Sequence, residues 1–167
     1  MTISAAEFKQ AMQLWASGIT IITTNSAAYG LQGMTVSAFS SVTAEPAKIL
    51  CCLNGNAETV NGIEASQSFA VNILTVAQQS LSNQFSGGCS QEERFAQNPW
   101  HTATTGAPLL DECLMSLDCK LVEKIRVDSH WIVIGEVQAC EIRDGNPLLY
   151  YRAGYRELAI TADSKQD

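Results

Sequence analysis

Residues Gly33 to Ser41 read GMTVSAFSS, with Glu45-Pro46 close behind, and the stretches on either side of this run decide the fold. Ahead of it, Ile19 to Thr24 reads ITIITT, and behind it Lys48 to Leu53 reads KILCCL. β-Branched and apolar residues of this kind fit a pleated, half-buried surface, so both stretches predict strands. Asn25 to Gly30 has turn chemistry, which predicts a hairpin whose return strand carries GMTVSAFSS, antiparallel to the strand before it. Thr35, Ser37, Ser40 and Ser41 set hydroxyls beside a row of main-chain N–H groups, an arrangement that suits a phosphate or the polar edge of a flavin ring. A hydroxyl-rich strand of an ordinary β-protein fits the same spacing.

The length of 167 residues predicts one domain over 1–167 with a substantial core. Ten Lys and Arg stand against 17 Asp and Glu, a formal net charge of -7, with no basic cluster to track a nucleic acid. Any anion site must then rest on local donors, because the long-range field repels anions. The first residues carry Glu7 and Lys9 among apolar ones and do not read as a signal peptide, and no stretch reaches the roughly 20 apolar residues of a membrane span. The expectation is a cytoplasmic protein with neither nucleic acid nor membrane as partner. Six cysteines without a C-x-x-C pair and two histidines make a metal centre a poor expectation. Most of the cysteines sit in strand-like apolar surroundings, as reduced core residues do.

Phe8, Met12 and Trp15 recur at helical spacing in Ala5 to Ser17, which predicts a helix with one buried face, ended by Gly18. Further along, Glu58 to Ser66 and Ala77 to Phe85 predict helices, the second stopped by Gly87-Gly88, and Phe69 to Leu74 (FAVNIL) predicts a strand. Cys89 to Leu110 predicts a long loop with one helical turn at Glu92 to Ala96, in which Trp100 is a packing anchor or a stacking platform. Strands follow at Met115 to Leu121, Trp131 to Cys140 and Leu148 to Tyr151. The expected fold is mainly β, an antiparallel barrel of six to seven strands with peripheral helices. Neither a Rossmann fingerprint nor a P-loop is present.

In that order, GMTVSAFSS with Glu45-Pro46, Cys52-Leu53-Asn54, FAVNIL, Leu81 to Phe85 (LSNQF), Leu117-Asp118-Cys119, the His130 segment and Pro147 to Arg152 (PLLYYR) resemble the flavin reductase family of the FMN-binding split barrel, the small components of two-component flavin monooxygenases. The likeness covers nearly the whole chain. It implies a split-barrel homodimer that binds FMN or FAD at the subunit interface and takes electrons from NADH or NADPH. It also implies that Met34, Thr35, Val36, Ser37 and Ala38 line the isoalloxazine, that Ser40 and Ser41 approach the ribityl chain or phosphate, that Cys52, Leu53 and Asn54 come from the adjacent strand, and that Phe85 borders the phosphate or adenosine end. For Val36, Ala38 and Leu53, core packing is the equal alternative.

His130 is the catalytic candidate. Relatives commonly have Gly-Asp-His where this chain has Asp128-Ser129-His130, so the partner of the imidazole changes from a carboxylate to a hydroxyl. Ser129 can orient the ring but supplies no charge. Tyr151, Arg152, Tyr155 and Arg156 form an aromatic and basic cluster that suits a nucleotide phosphate, a solvated face or a dimer contact. The expected activity is an NAD(P)H:flavin oxidoreductase that passes a hydride from nicotinamide C4 to flavin N5 and releases reduced flavin to a partner monooxygenase, mainly by positioning. The alternative is a flavin-binding electron carrier or interaction module on the same barrel.

Overall fold

β-Branched runs and the turn residues between them divide the chain into its elements, which a computed structural model describes for residues 2–159. Helix α1 (Ala5–Met12) leads to a two-residue strand β1 (Ser17–Gly18), then β2 (Thr20–Ser26), β3 (Gly30–Val36), β4 (Phe39–Ala44) and β5 (Ala47–Asn54). Next come α2 (Glu58–Ser66), β6 (Ser68–Ile73), a 3-10 turn (Val76–Gln78), α3 (Gln79–Ser86) and α4 (Gln91–Gln97). Short strands β7 (Trp100–Thr102) and β8 (Pro108–Leu110) precede the long pair β9 (Met115–Val127) and β10 (His130–Ile142), and β11 (Leu149–Tyr151) and β12 (Gly154–Arg156) are the last described elements.

Seven strands form one antiparallel sheet in the order β3-β2-β6-β9-β10-β5-β4. Its two edges, β3 and β4, are consecutive in the chain and are joined by Ser37-Ala38 alone. Such a short connection can link opposite edges only if the sheet curls until they meet, so the sheet is a barrel with a seam at this corner. On the β4 side of the seam the Cys52 N–H donates to the Ala38 carbonyl at 3.0 Å, extending the β4–β5 ladder to the corner. This is the mainly β, antiparallel split barrel expected from the sequence.

Inward-facing Ile22, Val36, Ile49, Cys51, Leu53, Phe69 and Val133 fill the barrel together with Val60 and Ile63 of α2. Each such side chain contributes about 1.5–3 kcal/mol on burial. A second core, with Ile21, Leu74, Leu81, Phe85, Phe95 and Leu148, fixes α3 and α4 against the outside of the sheet. Asn72 ties the two layers: its Nδ2 donates to the Ile21 carbonyl and Thr23 Oγ1, both at 3.1 Å, and its Oδ1 accepts from the Leu110 N–H at 2.9 Å and Ser116 Oγ at 3.0 Å.

Gly135 marks where β10 crosses Phe69. A Cβ at this position would lie 2.5 Å from Phe69 Cζ and 2.9 Å from Cys119 Cβ, closer than packed atoms tolerate. Overpacking of this kind costs about 1–3 kcal/mol, so Gly135→Ala is expected to lower the urea midpoint with an unchanged slope. An unaltered midpoint would contradict the close approach.

Three sequence expectations change. Helix α1 ends at Met12, short of Ser17, and its apolar face is open: Phe8 is 54% exposed, Met12 48% and, beyond its end, Trp15 71%. Helical spacing specifies which face is apolar but not what covers it. Residues 89–110 are not mainly loop, because a Ser90/Glu93 capping box starts α4 and β7 pairs with β8. The run GMTVSAFSS is divided between β3 and β4 and does not lie on one return strand.

On β7, His101 sits between two carboxylates, with Nδ1 2.7 Å from Asp111 Oδ1 and Nε2 2.8 Å from Glu141 Oε1. The hydrogen bond to Glu141, and next that to Asp111, raise its pKa above the ordinary histidine value. A raised folded-state pKa contributes stability that is fully present below the unfolded value of about 6.5 and is lost as pH rises through the folded value. The wild type is therefore expected to lose more melting temperature than His101→Gln as pH climbs from about 6 through that interval, by a modest amount because the groups are partly exposed. Parallel pH curves would contradict the contribution.

Candidate functional site

The seam leaves β3 as a free sheet edge, and the segment after β6 covers it. The primary amide of Gln91 pairs with Gly33 as a neighbouring strand would: the Gly33 N–H donates to Gln91 Oε1 at 2.9 Å and Gln91 Nε2 donates to the Gly33 carbonyl at 3.1 Å. Arg94 Nη1 donates to the same carbonyl at 2.9 Å. The ring of Phe85 lies directly on Gly33, where a Cβ would come within 2.5 Å of Phe85 Cε1, and it meets Phe95 edge-on at 5.4 Å. Glycine is required here because the aromatic ring occupies the side-chain position.

Between this cluster and the start of α2 lies a cavity of about 350 Å³, bordered by Met34, Asn54, Phe85, Ser86, Gln91 and Arg94 and by residues 56–59. The N-cap of α2 is Ala57, which has no side chain to accept from the helix N–H groups. Arg94 is only 9% exposed, and among the described residues its Nε has no hydrogen-bond partner. A buried cation with an unused donor beside an uncapped helix N-terminus has the chemistry of an anion site, since both favour negative charge.

Ser86 also borders a second cavity of about 180 Å³, formed with Thr35, Ser37, Ser82, Tyr150 and Tyr155. Its walls are fixed by hydrogen bonds: Thr35 Oγ1 donates to the Ser82 carbonyl at 2.7 Å, Ser82 Oγ lies 2.9 Å from the Tyr155 hydroxyl, and that hydroxyl donates to Asn83 Oδ1 at 2.9 Å. Ser37 and Tyr150 continue into a third cavity of about 480 Å³ beneath α1. The three form a groove along the β3 edge and around the Ser37-Ala38 corner.

Of the residues singled out in the sequence, Met34, Thr35, Ser37, Ala38, Asn54 and Phe85 line this groove. Val36 and Leu53 point into the barrel core, so only their main chain is available to a ligand. Ser40 and Ser41 lie on β4, opposite Leu50 and Ile49, and border none of these cavities. Half-buried Cys52 lies on β5 with its N–H donated to the Ala38 carbonyl, and it borders none of these cavities. His130 is directly opposite Asn54 in the sheet, hence on the same face, and Ser129 Oγ lies 2.9 Å from its Nδ1.

Sequence reasoning missed the start of α2, Gln91, Ser82, and Arg94 as an anion-binding group. The capping box at Ser90 was the available signal for a helix that presents Gln91 and Arg94 on one side. Buried thiols play no nucleophilic part: desolvation pushes Cys113 and Cys119 up to about 12 and Cys51 higher still. Among the described residues no group of His, Cys, Asp and Glu is arranged to hold a metal ion, and no helix is long and apolar enough to cross a membrane.

A barrel split at a hydroxyl-bearing corner, with a groove along one edge, defines the class of split barrels. The chain belongs to the flavin reductase like domain family, whose profile matches residues 12–159. It is similar to FMN reductase (NADH) RutF of Ancylobacter novellus, 35% identical over 162 residues that cover 96% of this chain and 89% of the relative. A Haemophilus somnus protein described as a flavin reductase superposes with a TM-score of 0.90 at 37% identity, covering 93% of this chain and all of its own. The flavin reductase PheA2 in its native state superposes with a TM-score of 0.86 at 32% identity over 95% of this chain.

Proposed function

We propose that this chain, one domain over residues 1–167, is an NADH-dependent flavin reductase acting on FMN or FAD and supplying reduced flavin to a flavin-dependent monooxygenase. The observation that carries the reading is buried Arg94, with its unpartnered Nε, at the uncapped start of α2 and at one end of a groove walled by Met34 to Ala38. Arg94 and the first N–H groups of α2 hold the flavin phosphate. Ser37 and the main chain of residues 34–38 hydrogen-bond the polar edge of the ring, while Met34 and Phe85 supply apolar contact. Relatives named FMN reductase (NADH) support the nicotinamide donor and FMN as acceptor.

The flavin, when bound, supplies the acceptor for a hydride from the nicotinamide. The protein's share is alignment and exclusion of water, which needs no nucleophile and no paired carboxylates. Ser129 engages Nδ1 of His130, which leaves Nε2 for a ligand at the Asn54 end of the groove. The exchange of a carboxylate for Ser129 favours a second reading, a flavin carrier without nicotinamide-dependent turnover. A homodimer is supported by the outer face of β5, β9 and β10, where Leu50, Ile132 and Ile134 are only half-buried and Ile125 and Val127 are 39% and 48% exposed.

Purified protein is expected to oxidise NADH only when FMN or FAD is added, and to sediment at twice the chain mass. Flavin binding with no NADH consumption would select the carrier reading. Failure to bind either flavin would overturn both.

A further inference from the structure

The middle cavity of the groove is walled by hydroxyl groups whose protons are already committed inside the protein. Thr35 Oγ1 donates to the Ser82 carbonyl at 2.7 Å, and Ser86 Oγ donates to the same carbonyl at 2.8 Å. The Tyr155 hydroxyl gives its single proton to Asn83 Oδ1 at 2.9 Å. Ser82 Oγ, 2.9 Å from that hydroxyl, must therefore be the donor of their pair. A hydroxyl has one proton and two lone pairs, so all four of these groups offer only acceptor capacity to the cavity they border. Such groups disfavour a phosphate, which brings further acceptors, and suit a ligand group that brings O–H donors. The network is held in place: Ser82 is fully buried, and the Tyr155 ring meets Tyr150 edge-on with centroids 5.6 Å apart.

We propose that this cavity selects the flavin by its polyol: the oxygens of Thr35, Ser82, Ser86 and Tyr155 accept from the ribityl hydroxyls, and the Tyr155–Asn83 pair fixes the direction of every hydrogen bond in the set. The inference rests on the flavin reductase reading. The order of sites along the groove is the order of groups along the ligand, since the middle cavity shares Ser86 with the Arg94 cavity on one side and Ser37 with the corner on the other. A polyol that joins a phosphate at Arg94 to a ring at residues 35–38 then runs through the space between them. Ser40 and Ser41, the positions that the resemblance implies for the ribityl contact, lie on β4 and do not border this cavity. A site built to hydrogen-bond a ligand's hydroxyls rejects the analogue that lacks them, because its own polar groups are left without partners.

The test compares riboflavin with lumiflavin, which has the same ring and a methyl group in place of the polyol, by quenching of flavin fluorescence. Neither ligand carries a phosphate, so Arg94 does not enter the comparison. The wild type is expected to bind riboflavin about tenfold or more tighter than lumiflavin. Tyr155→Phe and Thr35→Val each remove one oxygen at nearly constant shape, and each should weaken riboflavin about threefold to tenfold while leaving lumiflavin affinity in place. Thr35→Ser, which restores the hydroxyl, should recover most of the loss. Equal wild-type affinity for the two flavins would overturn this subsite alone. So would variants that weaken both flavins by the same factor, which would make the hydroxyls structural, or variants that change only the NADH KM, which would assign the cavity to the donor. A wild type that binds none of riboflavin, lumiflavin and FMN would instead overturn the underlying reading.

Discussion

Arg94→Gln is expected to weaken FMN binding by about 10- to 100-fold, the factor that corresponds to losing a charge-assisted contact of about 1.5–3 kcal/mol. The side chain is almost fully buried, its Nη1 is committed to the Gly33 carbonyl at 2.9 Å, and its Nε is unengaged. Burial without a carboxylate partner is costly for a cation, so the position is explained by a ligand that brings negative charge. Titration by quenching of flavin fluorescence reads the change directly. Arg94→Lys should fall between the two, because it keeps the charge but loses the planar fork. If the wild type and Arg94→Gln bind FMN equally, the phosphate is held elsewhere.

Asp118→Ala should produce the largest loss of stability. Asp118 is fully buried on β9, and its carboxylate accepts from the Thr104 and Thr105 N–H groups, both at 2.7 Å, and from the Thr105 hydroxyl. Truncation leaves these donors without an acceptor inside the protein, and each orphaned buried group costs about 1–3 kcal/mol. A total of about 3–5 kcal/mol is a large share of the 5–15 kcal/mol that holds a typical domain. The melting temperature should drop on the order of 10 °C. Asp118→Asn should recover only part of this, since its NH2 faces N–H donors. A drop of less than about 2 °C would mean that water or a rearranged loop satisfies these groups at little cost.

The strands were readable because most of them carry a local signal. ITIITT, FAVNIL and the alternation from Met115 to Leu121 specify β structure by composition and period, and Asn25 to Gly30 specifies the hairpin. The corner at Ser37-Ala38 carries no such signal. It has neither Gly nor Pro, and only a tight Phe39 N–H to Ser37 carbonyl contact at 3.2 Å turns the chain. Contiguity in sequence therefore suggested one hydroxyl-rich surface, although Ser40 and Ser41 belong to the other edge strand. Arg94 was hidden for a different reason. In a helix reading QEERFAQ an arginine looks solvated, and only the docking of Gln91 on Gly33 buries it. The apolar spacing of α1 was equally visible, but a partner or ligand that covers such a face leaves no local mark in the chain.

We propose that the groove beside β3 aligns a nicotinamide with a flavin held by Arg94. It is tested most directly by mixing protein and FMN anaerobically with NADH and following the loss of the oxidised flavin's yellow absorbance. Rapid bleaching is expected, slowed when NADH carries deuterium at the transferred position, and at limiting FMN much slower in Arg94→Gln. Bleaching no faster than in protein-free buffer, with FMN demonstrably bound, would contradict it.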